Sequence, residues 1–209
     1  MWRRIIFLYL WTENNLMPIL SILIPSITQR ITTHLLPLIT ELERQISLLD
    51  NPDDVELIVF TDNKRRTVGA KRQGALDLAK GLFIAYVDDD DKVDKEYVAK
   101  AVDAIKANAW VDVITFNQWV VLNDAPPISL TFKLGHPTYD EISDAFPIRP
   151  PFHVCFWRRD LVKDCTFPDI TYNEDSVWVE KANKLAKTSY HIDHHMMTYI
   201  FDSNVTQTQ

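Results

Sequence analysis

Apolar runs and amphipathic stretches alternate along the first half of the chain. Ile19 to Pro25 is an apolar run closed by proline, the pattern of a strand buried on both faces of a parallel sheet. From Thr33 to Leu49 the apolar residues Leu35, Leu36, Leu38, Ile39, Leu42, Ile46 and Leu49 recur at helical spacing, and Asp50 to Asp54 with Pro52 breaks the pattern. Val55 to Phe60 predicts a second strand that runs into Thr61, Asp62 and Asn63. A helix follows over about Val68 to Lys80, with Gly81 placed as its C-cap. Leu82 to Val87 predicts a third strand, and Lys95 to Asn108 a third helix that turns Tyr97, Val98, Ala101, Val102 and Ile105 inward.

Short strands alternating with helices of this length argue for right-handed βαβ crossovers and a mostly parallel sheet, hence an α/β fold. Val111 to Trp119 supplies a fourth strand. Asn123 to Pro151 holds six prolines and reads as loops, suited to lining a cleft, with a short strand near Ser129 to Leu134. Glu174 to Leu185 predicts a helix, and Ser189 to Ile192 with Met196 to Phe201 one or two closing strands.

Composition narrows the classes. A chain of 209 residues that is 46% hydrophobic fits one domain with a single sizeable core. A net charge of −7 gives no footprint for holding a polyanion, so nucleic acid is not favoured as a partner, although Lys64, Arg65 and Arg66 form a local basic patch. Cys155 and Cys165 match no metal-ligand spacing and are too few for a disulfide framework, which implies reduced thiols in a cytoplasmic protein. The apolar run Ile5 to Leu10 is far shorter than the ~20 residues of a membrane span. No small-residue cleavage site follows it, so no transmembrane or export segment is read, though peripheral contact with a membrane stays open. Residues 1–16 read as an extension outside the fold, with Met17 as an alternative start.

The chemistry is placed by the strand ends. In open parallel sheets ligands bind beyond the carboxyl ends of the strands, where Asp62 and the run Asp88, Asp89, Asp90, Asp91 fall. Four consecutive carboxylates repel one another, and a divalent cation is their natural partner. An oxygen-only site suits Mg²⁺ or Mn²⁺, which completes its shell with water and substrate phosphates. The plainer account of such a run is a solvated turn before a helix.

These segments resemble the family 2 glycosyltransferases of the GT-A fold. The resemblance rests on Ser21-Ile22-Leu23-Ile24-Pro25, on Ile58-Val59-Phe60-Thr61-Asp62, on Ala85-Tyr86-Val87-Asp88-Asp89-Asp90-Asp91, on Gly69-Ala70-Lys71-Arg72-Gln73-Gly74, and on Asn173-Glu174-Asp175 before a helix. It covers about residues 17–205 and implies one GT-A domain over 17–209. Residues 17–120 form its nucleotide-sugar half and 121–209 its acceptor half. By that resemblance Pro25, Ser26 and Asp62 border the base and ribose, Lys71 the nucleotide, and Asp88 with Asp89 the diphosphate. Asp88 and Asp90 hold the metal. Asp175 is the general base of a single displacement that inverts the anomeric carbon. The donor is a nucleotide diphosphate sugar, a UDP-sugar by preference, and the acceptor a glycan or another hydroxyl-bearing molecule, a modified nucleobase included. His191, His194, His195 and Asp202 lie where a late ligand could return to the metal, His191 first among them. His153, Trp157, Glu174 and Trp178 fall on the acceptor side, where Arg158 and Arg159 could also meet a phosphate. Arg72, Thr61 and Asn63-Lys64 depart from the family pattern.

Rival classes fare worse. A nucleotidyltransferase or a dinucleotide-dependent oxidoreductase needs a glycine-rich phosphate loop, and Pro25-Ser26-Ile27-Thr28-Gln29-Arg30 contains no glycine. A nucleotide-sugar-binding or cation-binding module without turnover is the non-enzyme alternative, and the retained Asp175 weighs against it.

Overall fold

A computed structural model describes residues 17–123, 125–136 and 148–201. The N-terminal extension, part of the proline-rich loop stretch and Asp202 lie outside the described residues.

β1 (Leu20–Ile27) is buried at every position because it has a strand on each side. A 3₁₀ turn (Thr28–Arg30) and a π turn (Ile31–Leu35) lead from it into α1 (Leu36–Ile46), so the apolar spacing from Thr33 begins in a widened turn and becomes α-helical at Leu36. β2 (Val55–Asp62) follows, then α2 (Val68–Leu78), whose first turn is capped by Thr67 accepting the Ala70 N–H at 3.0 Å. The helix stops two residues short of Lys80, with Ala79 extended at the C-cap. Gly81 serves packing instead of capping: a Cβ there would lie 2.5 Å from the Ser21 nitrogen on β1. β3 (Phe83–Tyr86), the two-residue β4 (Lys92–Val93) and α3 (Tyr97–Ala107) complete this half, with the inward face of α3 as the periodicity predicts.

β5 (Val113–Leu122), β6 (Ile128–Phe132), β7 (Ile148–Arg149) and β8 (Phe156–Arg158) precede the short α4 (Arg159–Val162), α5 (Glu174–Leu185) and β9 (Ser189–Phe201). Among the described residues the strands form one sheet in the order β2-β1-β3-β8-β5-β6-β7, and β9 pairs with both β5 and β4. The pairings β1–β2, β1–β3 and the long β5–β9 are parallel. β8 runs antiparallel between β3 and β5. β8 and β6 follow one another along one edge of β5 while β9 takes the other, which curls the sheet.

Register decides what meets at the carboxyl edge. Ile27 pairs with Asp62, and the Val87 N–H extends the β1–β3 ladder to the Leu23 carbonyl at 3.0 Å. Asp62, Ser26 and Asp88 therefore leave neighbouring strands at one rim. Beneath it lies an aromatic floor. Trp178 stacks on Phe167 at 5.0 Å and meets Tyr86 and Trp157 edge-on, and both indoles are satisfied, Trp178 by the Cys165 carbonyl and Trp157 by that of Phe152. Cys155 and Cys165 are buried and unpaired, as the reduced-thiol expectation holds. No helix among the described residues is long and apolar enough to cross a membrane.

Candidate active site

The rim borders an open cleft lined by Pro25, Ser26, Ile27, Arg30, Val68, Lys71, Asp88 and Asp89. Five of these, Pro25, Ser26, Lys71, Asp88 and Asp89, are residues the sequence places at the donor. Lys71 is 3% exposed and donates to the Ser26 carbonyl at 2.9 Å, with Asp62 at 4.0 Å. Burial lowers its pKa against the pull of Asp62 and Asp89. Asp62 accepts the N–H groups of Lys64 (3.1 Å) and Arg66 (2.9 Å), so it also fixes the turn that leads into α2.

Each aspartate of the run has its own environment. Asp88 bonds Arg72 through both oxygens, at 2.8 and 3.1 Å. Burial alone would push its carboxyl up, but Arg72 and His153 override that and hold it below the usual carboxylate range. Asp89 accepts the Ser26 hydroxyl at 2.6 Å and an Arg30 nitrogen at 2.9 Å, yet burial still lifts it to about 6. Asp90 pairs with Arg30 at 2.6 Å. Asp91 is buried with Oδ1 lacking any hydrogen bond, and burial beside Asp88 and Asp90 pushes it well above its ordinary value.

The run is joined to α5 by two side chains. Arg72 reaches from α2 to Asp88 on one side and to Glu174 Oε1 at 3.1 Å on the other, with its guanidinium 5.4 Å from the Tyr86 ring centroid. Burial raises the pKa of Glu174. His153, 4% exposed, holds its ring between two carboxylates: Nε2 is 3.6 Å from Asp88 Oδ2, and Nδ1 is 3.6 Å from Asp175 Oδ2. Neither nitrogen has a hydrogen-bond partner. Asn173, left-handed at φ 65°, turns the chain into α5, and Asp175 in the first turn accepts the Ser176 N–H at 2.7 Å.

Other expected residues lie elsewhere. Trp157 and Trp178 are fully buried in the aromatic floor, so as placed neither offers a ring face to a sugar; they carry the site from below. Arg158 donates to the Val111 carbonyl and Arg159 to that of Gly81, which ties both into the fold. The three late histidines spread along β9. His191 meets Thr115 at 2.9 Å, with its pKa lowered by burial; His194 bonds Asp94 at 3.0 Å; His195 stacks on Trp119 at 3.8 Å. His194, Asp94 and Glu96 are the one trio among the described residues whose ligand atoms lie within 4.8 Å of one another. At the far end of β9 a tyrosine comes near the acidic run: burial, with Asp91, Asp88 and Asp90 adding to it, pushes Tyr199 up to about 12.

Sequence reading gave no role to Arg30, Arg72 or Tyr199. Arg72 stood out as a departure from the family pattern. A charged residue just beyond the buried strand end Pro25-Ser26 was the available signal for Arg30.

A mostly parallel, curled sheet whose carboxyl rim gathers aspartates beside a helix N-terminus is the GT-A architecture. The sequence matches the family described as Glycosyl transferase family 2 over residues 37–165, and the chain belongs to that family. No curated protein sequence matches it. The fold is similar to that of TarS from S. aureus (TM-score 0.66, 20% identity, 87% of this chain and 36% of that one). It is similar to TarS 1–349 in complex with UDP-GlcNAc (TM-score 0.61, 18% identity, 88% and 59%). It also resembles the mannosyltransferase PcManGT from Pyrobaculum calidifontis in complex with GDP-Man and Mn²⁺ (TM-score 0.56, 14% identity, 95% and 65%). The chain thus spans between about a third and two thirds of the length of these structures.

Proposed function

We propose that this chain transfers a sugar from a nucleotide diphosphate sugar, a UDP-sugar by preference, to an acceptor hydroxyl with inversion, and that Asp175 is the general base. The observation that carries the reading is the pair of 3.6 Å approaches of one buried imidazole, His153, to Asp88 on the donor rim and to Asp175 on α5. Asp88 and Asp175, the candidate base, thus lie on either side of one ring, and Asp88 also lines the cleft with Lys71 and Arg30. TarS 1–349 in complex with UDP-GlcNAc and PcManGT with GDP-Man and Mn²⁺ support the donor class.

In the reaction the acceptor oxygen forms a bond to the anomeric carbon while the bond from that carbon to the diphosphate oxygen breaks, its electron pair leaving with the diphosphate. The hydroxyl proton passes to a carboxylate oxygen of Asp175. Pro25, Ser26 and Asp62 border the base and ribose, Lys71 the nucleotide, Asp88 and Asp89 the diphosphate, and Glu174, fixed by Arg72, the acceptor side.

Mn²⁺ or Mg²⁺ fits the residues present. The carboxylates supply only oxygen, the side chains of Asp88 and Asp90 remain 23% and 15% exposed, Asp88 lining the cleft, and the orphaned Asp91 Oδ1 belongs to the same run. Held by Asp88 and Asp90, such an ion supplies neutralisation of the charge that develops on the diphosphate. His191 would add a nitrogen donor to these oxygens, but its ring is engaged by Thr115. The buried, unpaired cysteines support a cytoplasmic location.

The test is Asp175→Asn. Transfer is expected to fall by about 10²–10⁴-fold, the scale of a general base, with UDP affinity unchanged. Retained transfer in that variant removes Asp175 from the role.

A further inference from the structure

Arg30 ends the turn that leaves β1, at φ −100°, ψ 0°, between a 3₁₀ and a π turn. Irregular helical turns of this kind collect at functional sites. Its side chain is 7% exposed and lines the cleft, one nitrogen on Asp89 at 2.9 Å and the other on Asp90 at 2.6 Å. Asp90 is also a proposed metal ligand. A guanidinium and a divalent cation compete for the same carboxylate lone pairs and repel one another at contact distance. The two carboxylates are not equally dependent on Arg30: Asp89 also takes the Ser26 hydroxyl at 2.6 Å, so it keeps a donor when the guanidinium turns away.

We infer that Arg30 is a ligand for the donor's diphosphate that is held on Asp90 until a divalent cation takes that carboxylate. The inference rests on the donor site proposed above. A planar fork that fits a carboxylate fits a phosphate equally well. The exchange needs only side-chain rotation within a cleft that Arg30 already lines. Cation and nucleotide then bind cooperatively by charge exchange: the ion frees Arg30, and the freed guanidinium faces the diphosphate.

The intact chain is titrated with Mn²⁺ alone, then with UDP at saturating Mn²⁺, as wild type, R30Q and R30K. R30Q is expected to bind Mn²⁺ about tenfold more tightly, because the ion no longer breaks a charge-assisted hydrogen bond, and UDP about tenfold less tightly. R30K, which keeps the charge but cannot bridge Asp89 and Asp90, falls between in both. Opposite signs are the signature. A shift of both affinities in one direction marks a structural role and overturns the inference, as does unchanged Mn²⁺ affinity. Wild type that binds UDP only with Mn²⁺ but does not respond to R30Q overturns this inference and leaves the donor site standing, whereas wild type that binds neither overturns both. Should R30Q fail to fold, the Arg30 Nε–H resonance of the wild type answers the same question: it moves on addition of Mg²⁺ if the guanidinium is displaced and stays in place if it is not.

Discussion

Two arginines hold the acidic run and do different work. Arg72 at the inner end is 4% exposed, joins α2 to Asp88 and Glu174, and lies over Tyr86; burial opposes its charge, but the surrounding carboxylates hold its pKa above the ordinary arginine value. Arg30 joins Asp89 and Asp90 in the middle of the run and lines the open cleft. A third pair, Arg44 with Glu41 on α1, lies on the surface at 2.6 Å. Geometry is similar in all three; Arg44 differs in burial, whereas Arg30 and Arg72 are both buried and differ in that Arg30 lines the cleft. A fully enclosed cation locks elements together because nothing replaces it, one at a cleft can be exchanged for a ligand, and one in solvent holds little.

Denaturation of variants sharpens that ranking. Arg72→Met is expected to cost about 3–5 kcal/mol, since it strands the buried Glu174 carboxylate and the half-buried Asp88 carboxylate, and Arg30→Gln about 1–2 kcal/mol, since the Ser26 hydroxyl and cleft water take up part of the loss. Equal costs at the two positions would erase the distinction between lock and exchangeable ligand. Glu41→Gln is expected to cost under about 0.5 kcal/mol. Hydrogen bonds from Arg44 and Gln45 lower the Glu41 carboxyl to about 2 from its ordinary 4.5, so its small contribution is present above pH 4.5 and fades as the pH falls towards 2. A Glu41→Gln chain should therefore differ from wild type at pH 6 and match it at pH 2.

The same contrast in burial explains which parts were legible from sequence. β1 and β3 announce themselves as apolar runs because both faces are covered, and the run after β3 was placed at the rim without knowledge of its partners. β8, only Phe156–Arg158, was missed: three residues carry no period, and its burial comes from its place between β3 and β5. β9 read as one or two strands because Asp193, His194 and Met196 are extra residues where its register against β5 shifts twice, and an odd number of extra residues exchanges inward and outward positions midway. Gly81 looked like a helix cap, and only the approach of β1 gives its reason. In the site, Asp88 and Asp175 could be named from local patterns. Arg30 and Arg72 could not, since Asp90 lies 60 residues on from Arg30, and Asp88 and Glu174 lie 16 and 102 residues on from Arg72, and pairing between separate elements leaves no local trace.

The most direct measurement is calorimetric titration of the wild-type chain and Asp90→Asn with UDP, in the presence and absence of Mn²⁺. Wild type is expected to bind UDP far more tightly with Mn²⁺ than without, and Asp90→Asn to lose most of that difference. Binding of equal strength with and without the ion, or an Asp90→Asn chain that keeps the full Mn²⁺ effect, would contradict it.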